Sequence, residues 1–71
     1  MYLKRLRDLR EDKDLYQKDI AKFLGMSQTG YSKYEVGTNE IPIEILIKLS
    51  IFYDVSVDYI LGLTNKKDRL K

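Results

Sequence analysis

Side chains that can hydrogen-bond to nucleic-acid bases are concentrated in the short segment from Gln28 to Lys33. A glutamine amide can form two hydrogen bonds with adenine, a lysine can donate to guanine, and a threonine methyl group can contact thymine. The same side chains are common on ordinary protein surfaces. What distinguishes a recognition surface from a solvated one is the structural element that carries these residues.

The surrounding segment, residues 17–35, has the pattern of two short amphipathic helices joined by a tight turn. Gly25 can take the left-handed conformation that ends the first helix. Ser27 can accept a hydrogen bond from the free N–H groups that open the second. Two helices that cross steeply through such a turn form a helix-turn-helix. The second helix of that unit can enter the major groove of DNA.

The composition argues against enzymatic and metal-dependent functions. The 71 residues include no cysteine and no histidine, so neither a disulfide nor an ordinary zinc site can form. The serine and aspartate residues have no triad partner, and no glycine-rich phosphate loop is present. Asp12 and Asp14 could form only a weak cation site. We therefore expect no enzymatic activity, no bound metal and no cofactor.

The chain also lacks the features of a membrane protein. Its apolar stretches are far shorter than the roughly 20 residues of a membrane-spanning helix. The N-terminus is charged from Lys4 onward and contains no apolar signal core. The absence of cysteine fits a reducing compartment. We expect a cytoplasmic protein that makes no contact with a membrane.

The distribution of charge is more informative than the net charge of +2. Residues 1–13 carry a net charge of +2 and residues 64–71 a net charge of +3, whereas residues 41–63 carry −2. The segment 16–40, which contains the helix-turn-helix, is neutral. Most DNA-binding domains rely on neutralising phosphates for their affinity. That contribution is expected to be small for a single copy of this chain.

Hydrophobic periodicity predicts five helices and no strand. They cover about residues 2–12, 17–24, 28–35, 42–53 and 57–61. The β-branched residues between 41 and 51 could also suit a strand, but Pro42 is favourable in the first turn of a helix. We expect one helical domain over residues 1–63, followed by a polar and frayed C-terminal tail over residues 64–71.

The order and spacing of residues between Leu6 and Leu63 resemble the Cro/C1-type helix-turn-helix family of phage repressors and bacterial XRE-like regulators. The matching positions are Leu6, Leu9, Arg10, Leu15, Gln17, Ile20, Ala21, Leu24, Gly25, Ser27, Ser32, Lys33, Tyr34, Glu35, Gly37, Leu46, Lys48, Leu49 and the run Val55–Leu61. The resemblance implies an all-α fold, a compact five-helix bundle of the lambda-repressor-like DNA-binding type. Helices two and three would form the helix-turn-helix.

The resemblance also implies a role for individual residues. Those expected to contact DNA bases are Gln28, Thr29, Ser32 and Lys33. Those expected to contact the DNA backbone, and so to position the protein without specifying a sequence, are Gln17, Ser27, Thr38 and Asn39. Each assignment has a simpler alternative. The first group could be ordinary surface residues, Ser27 could serve only as a helix cap, and Thr38 and Asn39 could serve only the turn.

Arg10 and Glu35 occupy positions that commonly pair in the family, so we predict an ion pair shielded from water. Its role would be to hold the recognition helix against the first helix rather than to add net stability. Three residues depart from the family pattern. Tyr16 replaces the usual serine or threonine cap of the second helix, Gly30 lies within the recognition helix, and Tyr31 replaces a buried valine or isoleucine. A tyrosine there needs either a partner for its hydroxyl or a path to the surface.

The apolar residues of the fourth and fifth helices exceed the apparent needs of a small core. Candidates for a homodimer interface are Val57, Tyr59, Ile60, Leu61 and Leu63, which could equally complete the monomer core. A two-fold dimer would read an inverted repeat with half-sites about 34 Å apart. The resemblance implies a sequence-specific transcriptional regulator of double-stranded DNA, foremost a repressor. The alternative is a module on the same fold that binds a protein partner, such as an antitoxin or an anti-repressor partner.

Overall fold

The computed structural model describes residues 2–68, and these residues form five helices and no strand. The helices are α1 (Lys4–Asp12), α2 (Gln17–Leu24), α3 (Gln28–Val36), α4 (Ile43–Tyr53) and α5 (Val57–Leu61). Their bounds lie within about two residues of the prediction, the usual uncertainty of helix ends. The expected all-α, five-helix fold is confirmed. None of the helices in this part of the chain is long and apolar enough to cross a membrane.

All five helices contribute to one hydrophobic core. Each supplies one of its largest fully buried side chains: Leu6, Ile20, Tyr31, Leu49 and Ile60. Burial of apolar surface contributes about 25 cal/mol for each Å² removed from water. Short helices such as α5 are unstable alone, so this shared packing is what holds them in place.

The turn between α2 and α3 forms as the sequence predicts. Gly25 has a φ of +70°, and the N–H of Met26 donates to the Ala21 carbonyl at 3.0 Å, which ends α2. Ser27 caps α3, because its Oγ accepts the N–H of Gly30 at 3.1 Å. Together these two caps set the position at which α3 begins relative to α2.

The start of α2 is capped in an unexpected way. The Tyr16 side chain makes no capping hydrogen bond, as its replacement of serine or threonine implies. Instead, Asp19 Oδ2 accepts the backbone N–H of Tyr16 at 2.8 Å. This is the reciprocal half of a capping box, and the Asp19 charge also lies at the favourable end of the helix dipole. The lost cap is therefore partly replaced by a residue three positions later.

The segment after α5 is attached to the start of the chain by Arg5. The Arg5 guanidinium donates to the Tyr59 carbonyl at 2.8 Å, to the Thr64 carbonyl, and to Asn65 Oδ1 at 2.7 Å. It also lies 4.1 Å from the centroid of the Tyr59 ring, in a cation–π contact. We call this group of contacts the Arg5 clamp. It joins α1, the end of α5 and the residues that follow.

Lys67 is also bonded to the residue that precedes α5. The N–H of Ser56 donates to the Lys67 carbonyl at 2.9 Å, and the Lys67 ammonium lies 5.7 Å from the Tyr59 ring centroid. This differs from the predicted frayed tail, because hydrogen bonds to Arg5 and Ser56 hold Thr64, Asn65 and Lys67 against the helices. Residues 69–71, the end of the predicted tail, lie outside the described residues.

Candidate nucleic-acid interface

Five of the predicted DNA-contacting side chains share one open depression at the start of α2 and along α3. Its lining consists of Gln17, Gln28, Thr29, Ser32 and Lys33. Gln28, Thr29 and Lys33 are exposed, and Ser32 and Gln17 are partly exposed. We call these five residues the recognition surface. It offers amide, hydroxyl and ammonium groups, which match the donors and acceptors on base edges and phosphates.

Ser27 and Gly30 support the start of this surface. The exposed Ser27 side chain uses its oxygen as the cap of α3, while its own O–H remains able to donate. A Cβ added at Gly30 would lie 3.1 Å from Ser27 Oγ and 3.2 Å from Met26 Cε. Glycine at position 30 therefore leaves room for the cap, which gives a physical reason for a residue that is otherwise unfavourable within a helix.

Thr38 and Asn39 lie apart from the depression. Both are exposed in the loop between α3 and α4, and the N–H of Asn39 donates to the Lys33 carbonyl at 3.2 Å. That bond helps to end α3. Their side chains extend the exposed polar surface beyond the C-terminal end of α3, without belonging to the lining of the depression.

A nearly buried ion pair lies where α3 packs against α1. Arg10 Nε donates to Glu35 Oε2 at 2.9 Å and Arg10 Nη2 to Glu35 Oε1 at 3.1 Å, a bidentate arrangement. The side chains of Arg10 and Glu35 are only 12% and 3% exposed. Arg10 Nη1 also donates to the Leu15 carbonyl at 2.9 Å. The pair expected from the sequence thus joins α1 and α3, and it also includes the connection to α2.

Glu35 keeps its negative charge in spite of its burial. Burial alone would raise the pKa of Glu35, but the hydrogen bond from Arg10, with smaller effects of Tyr31 and Gln17, holds that pKa below its ordinary value. The hydrogen bond to Glu35 in turn raises the pKa of Arg10. Both groups are therefore charged at neutral pH, and each stabilises the charge of the other.

Gln17 connects the recognition surface to this ion pair. Its Nε2 donates to Glu35 Oε1 at 3.3 Å, a long hydrogen bond. One amide hydrogen is used in this bond, while the other hydrogen and the amide oxygen remain available. Glu35 thus restricts the orientation of a side chain on the recognition surface. The sequence contains no pattern that would have predicted this contact.

Tyr31 lies wholly inside the core. Its hydroxyl has neither a path to the surface nor a normal hydrogen-bond partner, the two arrangements expected from the sequence. Within residues 2–68, the hydroxyls of Tyr31 and Tyr53 have no hydrogen-bond partner of normal geometry. Burial, together with the nearby Glu35 carboxylate, raises the pKa of Tyr31 well above its ordinary value. Burial likewise raises the pKa of Tyr53. The Tyr31 ring occupies the place of the family's aliphatic residue, and its hydroxyl lies beside the Glu35 carboxylate without a hydrogen bond of normal geometry, which leaves this polar group poorly satisfied.

The five candidates for a homodimer interface differ in their burial. Ile60 is 1% exposed and belongs to the monomer core, so it is unavailable to a partner. Val57, Tyr59 and Leu61 are partly buried against that core. Leu63 is the exception, with 74% of its surface exposed. Ile60 is therefore a core residue and not an interface residue as predicted, because the side of α5 that carries it packs against α1 and α4.

The described residues contain no group of three or more acidic side chains that could hold a metal ion. Two features of the site escaped the sequence analysis. The Asp19 cap follows the spacing of a capping box and could have been recognised from it. The Gln17–Glu35 hydrogen bond depends on how α2 and α3 pack, so it could not.

The fold and the recognition surface together define a helix-turn-helix protein of the DNA-binding kind. A family model described as helix-turn-helix matches residues 6–60. This chain belongs to the Cro/C1-type helix-turn-helix family. No solved structure shows a significant match to it.

Curated relatives carry the names of transcriptional regulators. The HTH-type transcriptional regulator YobD of Bacillus subtilis is 43% identical over 68 residues, which are 96% of this chain and 61% of the relative. The SPbeta prophage-derived regulator YonR of the same species is 41% identical over 61 residues, 86% of this chain and 56% of the relative. The cryptic phage CTXphi transcriptional repressor RstR of Vibrio cholerae is 34% identical over 73 residues, 100% of this chain and 66% of the relative.

This chain therefore spans only part of the relatives it matches, between 56% and 66% of the three described above. The shared part is the helix-turn-helix domain. All three relatives are named as transcriptional regulators or repressors.

Proposed function

We propose that this chain is a sequence-specific DNA-binding transcriptional regulator that acts as a repressor. In this proposal two copies bind an inverted-repeat operator, and each inserts the segment of about residues 28–35 into a major groove. The observation that carries the proposal is the recognition surface. Five polar side chains lie together on it, at the place where a helix-turn-helix meets DNA.

Base contacts would come from the exposed side of α3. Gln28 has the amide needed for two hydrogen bonds to adenine, and Lys33 can donate to the acceptors of guanine. Thr29 can place its methyl group against thymine, and Ser32 can donate or accept. Gln28 and Thr29 belong to the first turn of α3. Ser32 and Lys33 follow one turn later.

Backbone contacts would hold α3 in register with the groove. Gln17 opens α2, where the helix dipole favours an anion such as a phosphate. Its free amide hydrogen could donate to that phosphate while the other hydrogen is bonded to Glu35. Ser27, Thr38 and Asn39 would add contacts at either end of α3. Such contacts position the protein and carry no sequence information.

The charge balance supports a homodimer. The segment 16–40 is neutral, so one copy neutralises few phosphates, and two copies on one duplex would approximately double that contribution. Two-fold symmetry would set the half-sites about 34 Å apart. Repression in the bacterial cytoplasm is consistent with the relatives, one of which is named a phage repressor.

The decisive experiment is selection of bound duplexes from a random library, followed by measurement of the mass of the complex. We expect enriched sites with two-fold symmetry and two chains per duplex. Recovery of no preferred sequence would overturn the proposal of sequence-specific binding. One chain on an asymmetric site would overturn the dimer and leave the recognition surface intact.

An alternative function is a protein-interaction module on the same fold, such as an antitoxin. The neutral helix-turn-helix segment and the exposed isoleucines of α4 favour it. The two functions differ in their response to salt. A DNA-binding protein loses affinity for random duplex steeply as salt rises. Absence of binding to such duplexes even at low salt would favour the module.

A further inference from the structure

We infer that the exposed side of α4 is the interface between two copies of this chain, paired antiparallel about a two-fold axis close to Ile47. The interface would be formed by Ile43, Ile47 and Ile51, which we call the isoleucine face. This inference deepens the homodimer of the proposed function and rests on it, but DNA is not needed to test it.

The isoleucine face is apolar, continuous and uncovered within residues 2–68. Ile43, Ile47 and Ile51 are 67%, 47% and 55% exposed. They are four residues apart, so they lie on successive turns of α4 and span about 12 Å along it. The monomer core uses a different side of the helix, which carries Leu46, Leu49 and Tyr53. Three β-branched aliphatic side chains in a row are unusual on a surface that meets only water.

The rival interface at α5 is already occupied within the monomer. Ile60 is in the core, and the Arg5 guanidinium lies over the ring of Tyr59. The backbone hydrogen bond between Ser56 and Lys67 holds the following segment against the start of α5. Leu63 is the exposed large apolar residue that remains near α5. The larger accessible apolar surface is therefore on α4.

The charges beside the isoleucine face favour an antiparallel pairing. Glu44 and Lys48 are exposed on α4, and neither belongs to an ion pair of the described chain, whose pairs are Lys4–Asp8, Arg7–Glu11 and Arg10–Glu35. In an antiparallel pair, the two-fold axis is perpendicular to the helices and passes near Ile47. It brings the same flank of both helices together, with the residues of the two copies in opposite order. Glu44 of one copy then lies near Lys48 of the other, and the reverse pair forms as well. A parallel pairing would instead place the Glu44–Lys48 flanks of the two copies on opposite sides of the interface, so neither cross-copy pair could form.

The size of this surface predicts a weak dimer. Stable interfaces bury about 800 Å² on each partner, which is more than three side chains on one helix face can supply. Free chains should therefore associate in a concentration-dependent manner. Two adjacent half-sites would then hold the copies at a high effective concentration, so that binding to the operator becomes cooperative.

Sedimentation equilibrium of the full chain tests the interface directly. Ile47→Gln should weaken self-association at least tenfold, whereas Leu63→Gln, a matched change near α5, should alter it less than twofold. Both residues are exposed, so both variants should melt near the temperature of the unchanged protein. Equal association of the two variants, or a monomeric parent chain at millimolar concentration, would overturn the inference.

The orientation can be tested by reversing charges. Glu44→Lys and Lys48→Glu should each weaken association, and the double variant should recover it because the two cross-copy pairs are restored. The absence of native cysteines allows a second test. Position 47 of one copy lies beside position 47 of the other at the two-fold axis. Ile47→Cys should therefore form a disulfide-linked dimer under mild oxidation, whereas Leu63→Cys should not. No recovery in the double variant, or equal cross-linking of both cysteines, contradicts the antiparallel arrangement.

Binding of the same variants to random duplex DNA at low salt separates the two proposals. If Ile47→Gln binds such DNA and associates like the parent chain, the interface is wrong and the proposed function stands. If the parent chain and all variants fail to bind DNA, the proposed function is wrong whatever the interface result.

Discussion

The two faces of α3 differ in almost every physical respect. One face carries Gln28, Thr29 and Lys33, which are exposed and whose side chains are not fixed by a hydrogen bond or ion pair within residues 2–68. The other carries Tyr31 and Glu35, which are buried against α1 and the core. The buried face is made of a tyrosine and a glutamate rather than of aliphatic residues. The helix is thus anchored by polar groups with a defined geometry, and this geometry sets the orientation of the exposed face.

Removal of the Arg10–Glu35 ion pair, which anchors α3, should have the largest effect on stability. Glu35→Ala leaves the Arg10 guanidinium almost buried without its partner, and we expect a loss of about 3 kcal/mol in the free energy of unfolding. It should also weaken DNA binding, because Gln17 loses the acceptor that orients it. Chemical denaturation and a DNA titration measure the two effects.

The control is the double variant Arg10→Met with Glu35→Leu, in which both charges are removed together. Replacement of a buried pair by apolar residues is often close to neutral for stability. We expect the double variant to regain most of the stability but not the DNA affinity. If Glu35→Ala changes neither quantity, the anchoring role of the pair is refuted.

A substitution on the exposed face of α3 should instead reduce DNA affinity and leave stability unchanged. Gln28→Ala removes a side chain that supports nothing in the fold, so the melting temperature should stay constant. Affinity for the selected operator should fall by about 2 kcal/mol, the typical value of a bidentate base contact. Affinity for random duplex, measured in the same titration series, serves as the internal control and should change little. An equal loss on both duplexes would identify Gln28 as a backbone contact instead.

Acid pH should weaken the Arg10–Glu35 ion pair in the unchanged protein. The pKa of folded Glu35 is below its ordinary value, while that of the unfolded chain is near 4.3. As pH falls, the unfolded state therefore takes up the proton first. The contribution of Glu35 to stability is fully present above about pH 4.3 and is lost as pH falls through the folded pKa. Denaturation of the parent chain and of Glu35→Gln between neutral and acid pH should show their difference shrinking on the acid side. A constant difference would argue against this linkage.

Tyr31→Phe tests the most unfavourable group on the buried face. Its hydroxyl has no partner of normal geometry, so its removal should raise the free energy of unfolding by about 1 kcal/mol. Tyr34→Phe, on the same helix but only partly buried, is the matched control and should have little effect. A loss of stability in Tyr31→Phe would instead demonstrate that Glu35 accepts a hydrogen bond from that hydroxyl.

Gly30→Ala should have the smallest effect, because two contributions oppose each other. Alanine is favoured over glycine in a helix by about 1 kcal/mol. Its Cβ would, however, crowd the Ser27 cap and the Met26 methyl group. We expect a net change in unfolding free energy below about 0.5 kcal/mol. A gain near the full propensity value would indicate that the cap shifts freely.

Local signals made much of the fold predictable. Helical periodicity located all five helices, and Gly25 and Ser27 marked the end of α2 and the start of α3 because their chemistry depends on the backbone alone. The Arg10–Glu35 pair followed from a family resemblance rather than from spacing. The separation of 25 residues between its members is not visible in any local pattern.

Features that depend on packing could not be predicted. The sequence pattern of α4 and α5 is apolar on several sides, so it does not distinguish the inward Ile60 from the outward Ile47. The Arg5 clamp joins residues more than 50 positions apart, and two of its three acceptors are the backbone carbonyls of Tyr59 and Thr64, which any sequence could supply. The burial of Tyr31 without a hydroxyl partner depends on the exact space beside Glu35.

The Arg5 clamp has a consequence for the order of the chain itself. Because one arginine side chain reaches from α1 to residues 64 and 65, the first and last parts of the domain are close neighbours. A linker of a few residues could therefore join them into a ring, and new ends could be opened in the exposed loop at residues 38–40. Such circular permutation is usually tolerated at exposed loops. The rearranged chain would keep the contacts between its helices, although the helices would follow one another in a different order along the sequence.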